Sequence, residues 1–282
     1  MSIVVTGATG HLGRLIVTAL LRNGVPASEI IAAGRKVENL SDFADQGVRV
    51  ARIDFNEPST LADAFAGADT LMLVSSSEPG QRIPQHQAAV DAAKAAGITR
   101  VVYTSAPRAD TSELILAPDH KATEELIAAS GLASTILRNG WYTENYAGDV
   151  AQAGATGTLI SSVGDGRVAS ASRADYADAA AVVLANPGHE GKVYELSGDV
   201  AWNFTDLAAA ISTVVGREVV YTPITPAEQH AALLSAGLDE GTAGFVVALE
   251  GNTRDGLLAE TSGDLARLIG RPTTPLAAGL AA

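Results

Sequence analysis

The stretch Thr6-Gly7-Ala8-Thr9-Gly10-His11-Leu12-Gly13 decides the fold. It follows the apolar run Ile3-Val4-Val5 and leads into a helical pattern, and its GxxGxxG spacing is one residue wider than the usual dinucleotide fingerprint. Gly7 permits a tight turn, Gly10 lets the backbone approach a pyrophosphate, and Gly13 lets the next helix pack on the sheet. A helix that begins here points its N–H groups and its dipole at phosphates. We therefore predict that all residues from Gly7 to Gly13 contact a dinucleotide.

Strands and helices alternate through the first half of the chain. The strands are near-continuous apolar runs, which suits burial on both faces, and the short connections favour a parallel, doubly wound sheet. The predicted strands are Ile3–Thr6, Ile30–Ala33, Val48–Ile53, Thr70–Val74, Val101–Thr104 and Ser134–Leu137. The predicted helices are His11–Arg22, Val37–Asp45, Thr60–Phe65, Gln81–Ala96 and Asp119–Ser130. The fold class is therefore α/β, of the Rossmann type.

The pattern weakens after Asn139. A segment rich in Gly, Ser and Thr, Gly154–Asp165, predicts a hairpin or loop, and Lys192–Leu196 predicts a strand that rejoins the sheet. Further helices are predicted at Arg173–Ala185, Thr205–Val215, Pro226–Ala236, Gly241–Leu249 and Ser262–Ile269. We assign residues 1–140, completed by about 161–198, to a dinucleotide-binding domain. Residues 141–160 and 199–282 form a smaller, mostly helical lobe over the carboxyl ends of the strands.

Composition excludes several classes of function. The 282 residues are 47% hydrophobic and 18% charged, too apolar for a disordered chain. With 19 basic against 32 acidic residues and no basic stripe, we expect no nucleic-acid partner. The absence of cysteine excludes disulfides, iron–sulfur clusters and a thiol nucleophile, and the five histidines form no HExxH motif, so we expect no metal.

The sequence also indicates the cellular location of the protein and its relation to membranes. No basic leader opens it, and no apolar run reaches the roughly 18 residues needed to span a bilayer. We expect a cytoplasmic protein without membrane insertion, and the apolar faces of its helical tail leave a homodimer open.

The residues after the second and fourth strands indicate the nucleotide. An NAD site has an acid near the end of the second strand, whereas this chain has Gly34-Arg35-Lys36. Arg35 can clamp a 2′-phosphate, which favours NADP. Asp54 either accepts a hydrogen bond from the adenine amino group or caps its own loop. The loop Ser75-Ser76-Ser77 lies beside the switch point, where its hydroxyls and that of Thr104 can face the cofactor, although Ser77 can instead cap a helix.

The usual catalytic pair of short-chain dehydrogenases, Tyr-x-x-x-Lys, is missing. The basic candidates on the fifth helix are His120 and Lys121, and the residues four positions earlier are Leu116 and Ala117. The protein therefore either catalyses a reaction that needs little help from a general acid or catalyses no reaction.

Six further motifs carry a family resemblance. They are SSSEPGQR (75–82), AAKAAGI (92–98), YTS (103–105), LRNGWYTENY (137–146), SRADYADAAA (172–181) and GHEGKVYELSGD (188–199). Together they resemble the bacterial type 2 NAD(P)H:quinone oxidoreductases, atypical short-chain dehydrogenases of the NmrA-like branch, and are also similar to the triphenylmethane dye reductases. The likeness runs from residue 1 to the GRPTTPL segment near the end.

This resemblance implies NADPH-dependent reduction of quinones or similar flat acceptors without flavin. It implies that the glycine loop, Arg35, the serine loop and the segment Asn139–Tyr142 line the cofactor. A quinone accepts hydride readily, so positioning matters more than a strong acid. Trp141, Tyr142 and Tyr146 either supply aromatic surface for the cofactor or substrate or pack in the core between the two lobes.

Roles in catalysis and substrate contact remain open between alternatives. Tyr142 and His120 are the catalytic candidates, and His120 either delivers a proton or hydrogen-bonds Glu124. Gln81, Arg82 and Gln85 begin the fourth helix, where they either reach a quinone oxygen or stay solvated; Arg82 can also reach a phosphate. Two other functions compete with quinone reduction: reduction of dyes, enones, imines or ketones at the same site, and NADP(H) sensing without turnover.

Overall fold

A computed structural model describes residues 1–78 and 80–281 of the chain. The strands are β1 (Ile3–Val5), β2 (Ile30–Gly34), β3 (Arg49–Arg52), β4 (Thr70–Leu73), β5 (Arg100–Ser105), β6 (Ala133–Asn139), β7 (Thr158–Ser161), β8 (Arg167–Val168), β9 (Val193–Leu196), β10 (Trp202–Asn203) and β11 (Val220–Pro223). The helices are α1 (His11–Arg22), α2 (Ser41–Ala44), α3 (Pro58–Phe65), α4 (Arg82–Ala95), α5 (Ala117–Ser130), α6 (Ala147–Thr156), α7 (Arg173–Ala185), α8 (Phe204–Val215), α9 (Pro226–Ser235), α10 (Glu240–Arg254), α11 (Asp264–Ile269) and α12 (Leu276–Leu280).

The central sheet has seven parallel strands in the order β3-β2-β1-β4-β5-β6-β9. The chain moves outward from β1 to β3 and then returns to β4 on the other side of β1. This reversal opens a crevice at the carboxyl ends of β1 and β4, where ligands bind in such sheets. The predicted doubly wound Rossmann fold is confirmed, and so is the strand that rejoins the sheet, which is β9 beside β6.

Helices cover both faces of the sheet. In β1, Ile3 and Val5 pack with α1 and α7, whereas Val4 packs with α3 and α4 on the opposite face. This alternation follows from the two-residue period of a strand, and the apolar run appears continuous because both faces are buried. The alanines of α7 bring that helix close to α1. The covered sheet is thus a rigid support for the loops at its carboxyl edge.

A third apolar cluster lies beyond this edge, around Tyr146, Trp202 and Phe204. Two small sheets frame it, β8 with β10 antiparallel and β7 with β11 parallel. The prediction of a hairpin or loop at Gly154–Asp165 is therefore wrong. The segment contains the end of α6, a turn at Gly157 with φ +80°, and β7. Its strand partner β11 comes from far along the chain, which no local pattern reveals.

The two-lobe division stays a prediction, and two segments pack differently from it. Strand β8 pairs with β10 rather than with the central sheet, although it falls within the predicted 161–198 completion, whereas β7 lies almost wholly in the predicted lobe segment and pairs with β11 of that lobe. Helix α11 packs on α7 and β9, so Leu265 joins the core of the central sheet instead of the lobe. Separately, none of the helices in the described residues is both long and apolar enough to cross a membrane.

Candidate active site

The glycine loop joins β1 to α1 in a tight turn at the crevice. Gly7 has φ +63°, a conformation that favours glycine. A Cβ on Gly13 would lie 2.3 Å from the Gly7 carbonyl oxygen, so the third glycine permits close approach of α1 to the loop itself. The first intrahelical bond runs from the Arg14 N–H to Gly10. The N–H groups of the three residues before Arg14 precede that bond and are available to an anion.

A groove of about 330 Å³ opens at this helix N-terminus. It is walled by the glycine loop, by the ends of β2 and β3, and by the loop after β4. The predicted cofactor residues that line it are Gly7, Thr9, Gly10, His11, Leu12, Gly13, Arg35, Asp54, Ser75, Ser76 and Ser77. The structure therefore brings together residues that the sequence singled out on four separate segments.

Five predicted cofactor residues do not line this groove. Asn139, Trp141 and Tyr142 line an adjoining cleft, and Ala8 and Thr104 line neither space. Ala8 is fully buried, and its N–H donates to Ala33 at 2.9 Å, which ties the loop to β2. The Thr104 hydroxyl accepts from the Ser75 N–H at 2.8 Å and donates to the Ser75 hydroxyl at 3.3 Å. Both predictions differ from the structure for one reason: these groups face inward and position the residues that face the groove.

Arg35 and Asp54 stand at the outer end of the groove. The guanidinium of Arg35 pairs with Glu78, a residue of the opposite wall, at 2.5 Å. One oxygen of Asp54 accepts a hydrogen bond from the Asn56 N–H at 2.9 Å, so Asp54 caps its own loop, and the residue also lines the groove.

Ser77 does not cap α4, because Gln81 occupies the N-cap position and makes no side-chain hydrogen bond there.

A second cleft of about 310 Å³ adjoins the groove at Ser75. Apolar walls come from Leu114, Leu116, Leu249 and Leu258. Its polar and aromatic residues are Ser75, Arg82, Ser105, His120, Asn139, Trp141, Tyr142, Asn145, Arg173 and Asn252. The cleft thus combines an apolar wall with polar groups that can orient a small molecule.

Tyr142 forms one side of this cleft. Its hydroxyl accepts a hydrogen bond from the Asn139 amide at 3.3 Å, its ring meets Tyr176 edge-on at 5.2 Å, and the Arg173 guanidinium lies 4.9 Å above it. Burial raises the pKa of Tyr142 above its usual value, and the Asn139 bond opposes this. The phenol is therefore protonated at neutral pH and can donate a hydrogen bond.

His120 lies across the cleft and is 5% exposed. Its Nδ1 is 2.8 Å from the Tyr103 hydroxyl. Burial, aided by the charge of Arg82, lowers the pKa of His120 to about 3, so the ring is neutral at physiological pH. The alternative of a His120–Glu124 hydrogen bond is wrong, because the Glu124 carboxylate is held by Arg138 at 2.7 Å and by Ser105 at 2.5 Å.

The three substrate residues predicted at the start of α4 do not share one site. Arg82 lines the second cleft, where its Nε donates to the Ser76 carbonyl at 3.0 Å. Gln85 faces the dinucleotide groove instead, where its amide donates to Glu78 at 2.7 Å. Gln81 is exposed and lines neither space. Arg82 and Gln85 lie three positions apart and so share one side of α4, which therefore borders both spaces, whereas Gln81 precedes the helix as its N-cap residue.

For Tyr146 the structure has the core-packing alternative. Its ring lies in the third apolar cluster against Trp202 and Phe204, and it lines a side pocket of about 150 Å³ rather than the main cleft. Trp141 lines both spaces and so connects them.

Several residues that line the groove or the cleft cannot be identified from the sequence alone. Glu78 stands within a quoted motif, yet only the fold brings it to Arg35. Asn252 and Leu258 line the cleft although they lie more than 100 residues further along the chain than Asn139, and no local signal marks them. Arg173 was expected only at a helix start, where it does lie near Glu144 at 3.9 Å, but it also covers Tyr142.

Comparison with known proteins agrees with this geometry. A family model described as NAD(P)H-binding matches residues 7–187. The chain belongs to this family. It is 46% identical to quinone oxidoreductase 2 of Escherichia coli (strain K12) over 275 residues, which cover 98% of this chain and 96% of that protein.

Two solved structures have the same fold throughout. The NADPH-dependent quinone oxidoreductase from Escherichia coli complexed with NADPH superposes with a TM-score of 0.93 at 46% identity, over 99% of this chain and 98% of the other. The triphenylmethane reductase of Citrobacter sp. complexed with NADP(H) superposes with a TM-score of 0.93 at 40% identity, over 99% of each chain. The resemblance inferred from the sequence motifs is confirmed.

Proposed function

We propose that the chain is a flavin-independent, NADPH-dependent reductase that passes a hydride directly to a quinone. The observation that carries the proposal is the junction of the two spaces at Ser75. A groove at a helix N-terminus meets an apolar cleft there, so a dinucleotide in the first presents its reactive end to a flat molecule in the second. The likeness to a quinone oxidoreductase complexed with NADPH supports this.

The residues present fit such a cofactor. Buried polar atoms without a hydrogen-bond partner among the described residues include Ser76 Oγ, Gln85 Oε1 and Asn139 Oδ1. All three belong to residues that line the groove or the cleft. Unpaired buried polar atoms are costly in a folded protein, and a polar ligand can satisfy them. The N–H groups at the start of α1 suit the phosphates, and Arg35 suits the 2′-phosphate.

Bound NADPH would supply the hydride, and the protein would position the acceptor. The leucines of the cleft and the ring of Trp141 offer an apolar wall to a flat ring and exclude water from it. Asn139, through its unpaired Oδ1, is placed to orient a carboxamide. The Tyr142 hydroxyl, next to the Asn139 amide, can donate a hydrogen bond to the bound acceptor.

We propose that His120 donates a hydrogen bond to the acceptor oxygen, while solvent supplies the proton that completes the hydroquinone. Tyr103 is fully buried, and its hydroxyl lies 2.8 Å from His120 Nδ1. We infer that the Tyr103 hydroxyl donates in this contact, which places the imidazole proton on Nε2. A neutral imidazole is a weak acid, but the phenolate formed from a quinone is stabilised and needs little assistance.

Turnover is the first test. Purified protein, NADPH and a simple naphthoquinone are mixed without flavin, and nicotinamide absorbance is followed after subtraction of the spontaneous reaction. We expect saturable consumption, faster with NADPH than with NADH, and slower with NADPH deuterated at the transferred position. Tight NADPH binding without consumption of any quinone, dye or enone would contradict the proposal and favour the sensor.

The chain offers a matched control for His120. His189 is bonded to Tyr194 at 2.7 Å, also a histidine–tyrosine pair, but it lines neither space. We expect His120→Gln to lower kcat roughly tenfold with unchanged NADPH binding, a modest effect for an acid–base residue, and His189→Gln to leave kcat unchanged. Equal kcat for both variants would remove His120 from the mechanism.

A second candidate, reduction of a bulkier and positively charged acceptor, is favoured by the side pocket behind Trp141. Its walls include Phe204 and the carboxylates of Asp149 and Glu250. Burial and the neighbouring Glu250 raise the pKa of Asp149 to about 6. Aromatic rings and carboxylates together suit a cation. A higher kcat/KM for a cationic dye than for naphthoquinone would make this the better description.

A cytoplasmic location and a homodimer remain proposals from the sequence.

A further inference from the structure

The dinucleotide groove contains an acid in an unusual position. Sites for NAD place an acid at the end of the second strand, where it accepts from the ribose hydroxyls. Here that position holds Arg35, and the acid comes from the other wall: Glu78, in the loop after β4, also lines the groove. Its Oε1 lies 2.5 Å from Nη1 of Arg35. The pair spans the groove at the end where the sequence places the adenosine.

Gln85 holds the second oxygen of the same carboxylate. Its amide nitrogen donates to Glu78 Oε2 at 2.7 Å, and the residue is 3% exposed. The Glu78 side chain is itself only 35% exposed, against 63% for Arg35. Glu78 is therefore fixed on the inner side of the pair, whereas Arg35 reaches in from solvent.

The two forms of the cofactor meet this pair differently. The 2′-phosphate of NADPH is an anion and must share Arg35 with the Glu78 carboxylate, which it also repels. The 2′-hydroxyl of NADH carries no charge and can donate to a carboxylate. The Glu78 carboxylate thus disfavours binding of NADPH and favours binding of NADH.

We propose that Glu78 is a specificity-determining residue that competes with the 2′-phosphate for Arg35 and accepts a hydrogen bond from the 2′-hydroxyl. It lowers the preference of the chain for NADPH over NADH. The inference rests on the proposed function, since it assumes that the groove binds a nicotinamide dinucleotide.

The test compares dissociation constants for NADPH and NADH, measured by fluorescence titration, in the wild type and in Glu78→Gln. The glutamine keeps the shape and removes the charge. We expect NADPH to bind about twofold to fivefold more tightly, the range for a partly exposed ion pair, and NADH to bind no more tightly than before. The ratio of the two constants then shifts toward NADPH.

Glu57→Gln is the matched control. Glu57 forms an exposed ion pair with Arg52 at 3.0 Å on a nearby loop, and it does not line the groove. The variant changes the net charge by the same amount, so we expect the wild-type ratio. A second control, Glu78→Gln in an Arg35→Gln background, should tighten NADPH binding less than it does in the wild-type background, because only the direct repulsion between Glu78 and the 2′-phosphate is then relieved.

The outcomes separate the two proposals. An unchanged ratio in Glu78→Gln, or the same shift in Glu57→Gln, overturns the role of Glu78 while NADPH binding by the wild type leaves the proposed function in place. Failure of the wild type to bind either dinucleotide overturns the proposed function, and the inference falls with it.

Discussion

Gly13→Ala tests whether the close approach of α1 to the glycine loop creates the dinucleotide site. The added Cβ would lie 2.3 Å from the Gly7 oxygen and 2.6 Å from the Gly7 carbonyl carbon, whereas ordinary contact begins near 3.4 Å. Helix and loop must therefore separate by about 1 Å, and overpacking of this kind costs about 1–3 kcal/mol. The same shift would break a charge-assisted hydrogen bond to phosphate, which is worth about 1.5–3 kcal/mol, or tenfold to a hundredfold in NADPH affinity.

Fluorescence titration with NADPH and thermal unfolding with and without NADPH measure both effects. In the wild type, NADPH at about 100 times its dissociation constant should stabilise the fold by about 2.7 kcal/mol. The matched control is Gly148→Ala in α6, where the added Cβ has nothing within 4 Å. We expect that variant to bind NADPH normally and to gain stability, as glycine-to-alanine changes in helices do. Wild-type affinity in Gly13→Ala, even with lowered stability, would refute the link between this contact and the phosphate site.

Three other perturbations give clear expectations. Arg35→Asp should weaken NADPH binding far more than NADH binding, and equal loss of both would exclude a 2′-phosphate role. Arg138→Met should destabilise the fold by about 3–5 kcal/mol in urea unfolding, because it leaves the buried Glu124 carboxylate without its cation; a change near zero would show that Glu124 is rehydrated. Burial lowers the pKa of His86 and of His120 to about 3, below 6.5 in the unfolded chain. The unfolded state takes up protons first as the pH falls, so stability should drop below about pH 6.5 by roughly 1.4 kcal/mol per pH unit for each histidine. Equal unfolding free energies at about pH 7 and about pH 5 would contradict those buried neutral rings.

Elements whose signals are local were predictable. Helix α1 begins and ends where the pattern predicts, at His11 and Arg22, and α7 matches Arg173–Ala185. Apolar periodicity and the flanking glycines are properties of neighbouring residues, so they survive in a bare sequence. Strand pairing is not local. The pairing of β7 with β11 joins Thr158 to Val220, and the sequence predicted a loop or hairpin there.

The dinucleotide groove was largely predictable because each of its segments follows a strand of one parallel sheet. The carboxyl ends of such strands meet at one edge, so residues after β1, β2, β3 and β4 converge without further information. The direction in which each side chain points was harder to predict from the sequence. Thr104 turns inward to hold Ser75, and Gln85 turns to the groove rather than to the cleft.

By itself, the sequence determined the Rossmann fold, the glycine loop and the place of a dinucleotide along four strand ends. Periodicity and glycine act over a few residues, and the alternation of strands and helices along the chain predicts a parallel sheet whose strand ends meet at one edge. Only the tertiary structure decided that Glu78 faces Arg35, that Tyr103 orients His120, and that Asn252 closes the cleft. Such contacts join residues far apart in the chain, and their geometry follows from how whole elements pack against one another rather than from the residues beside them.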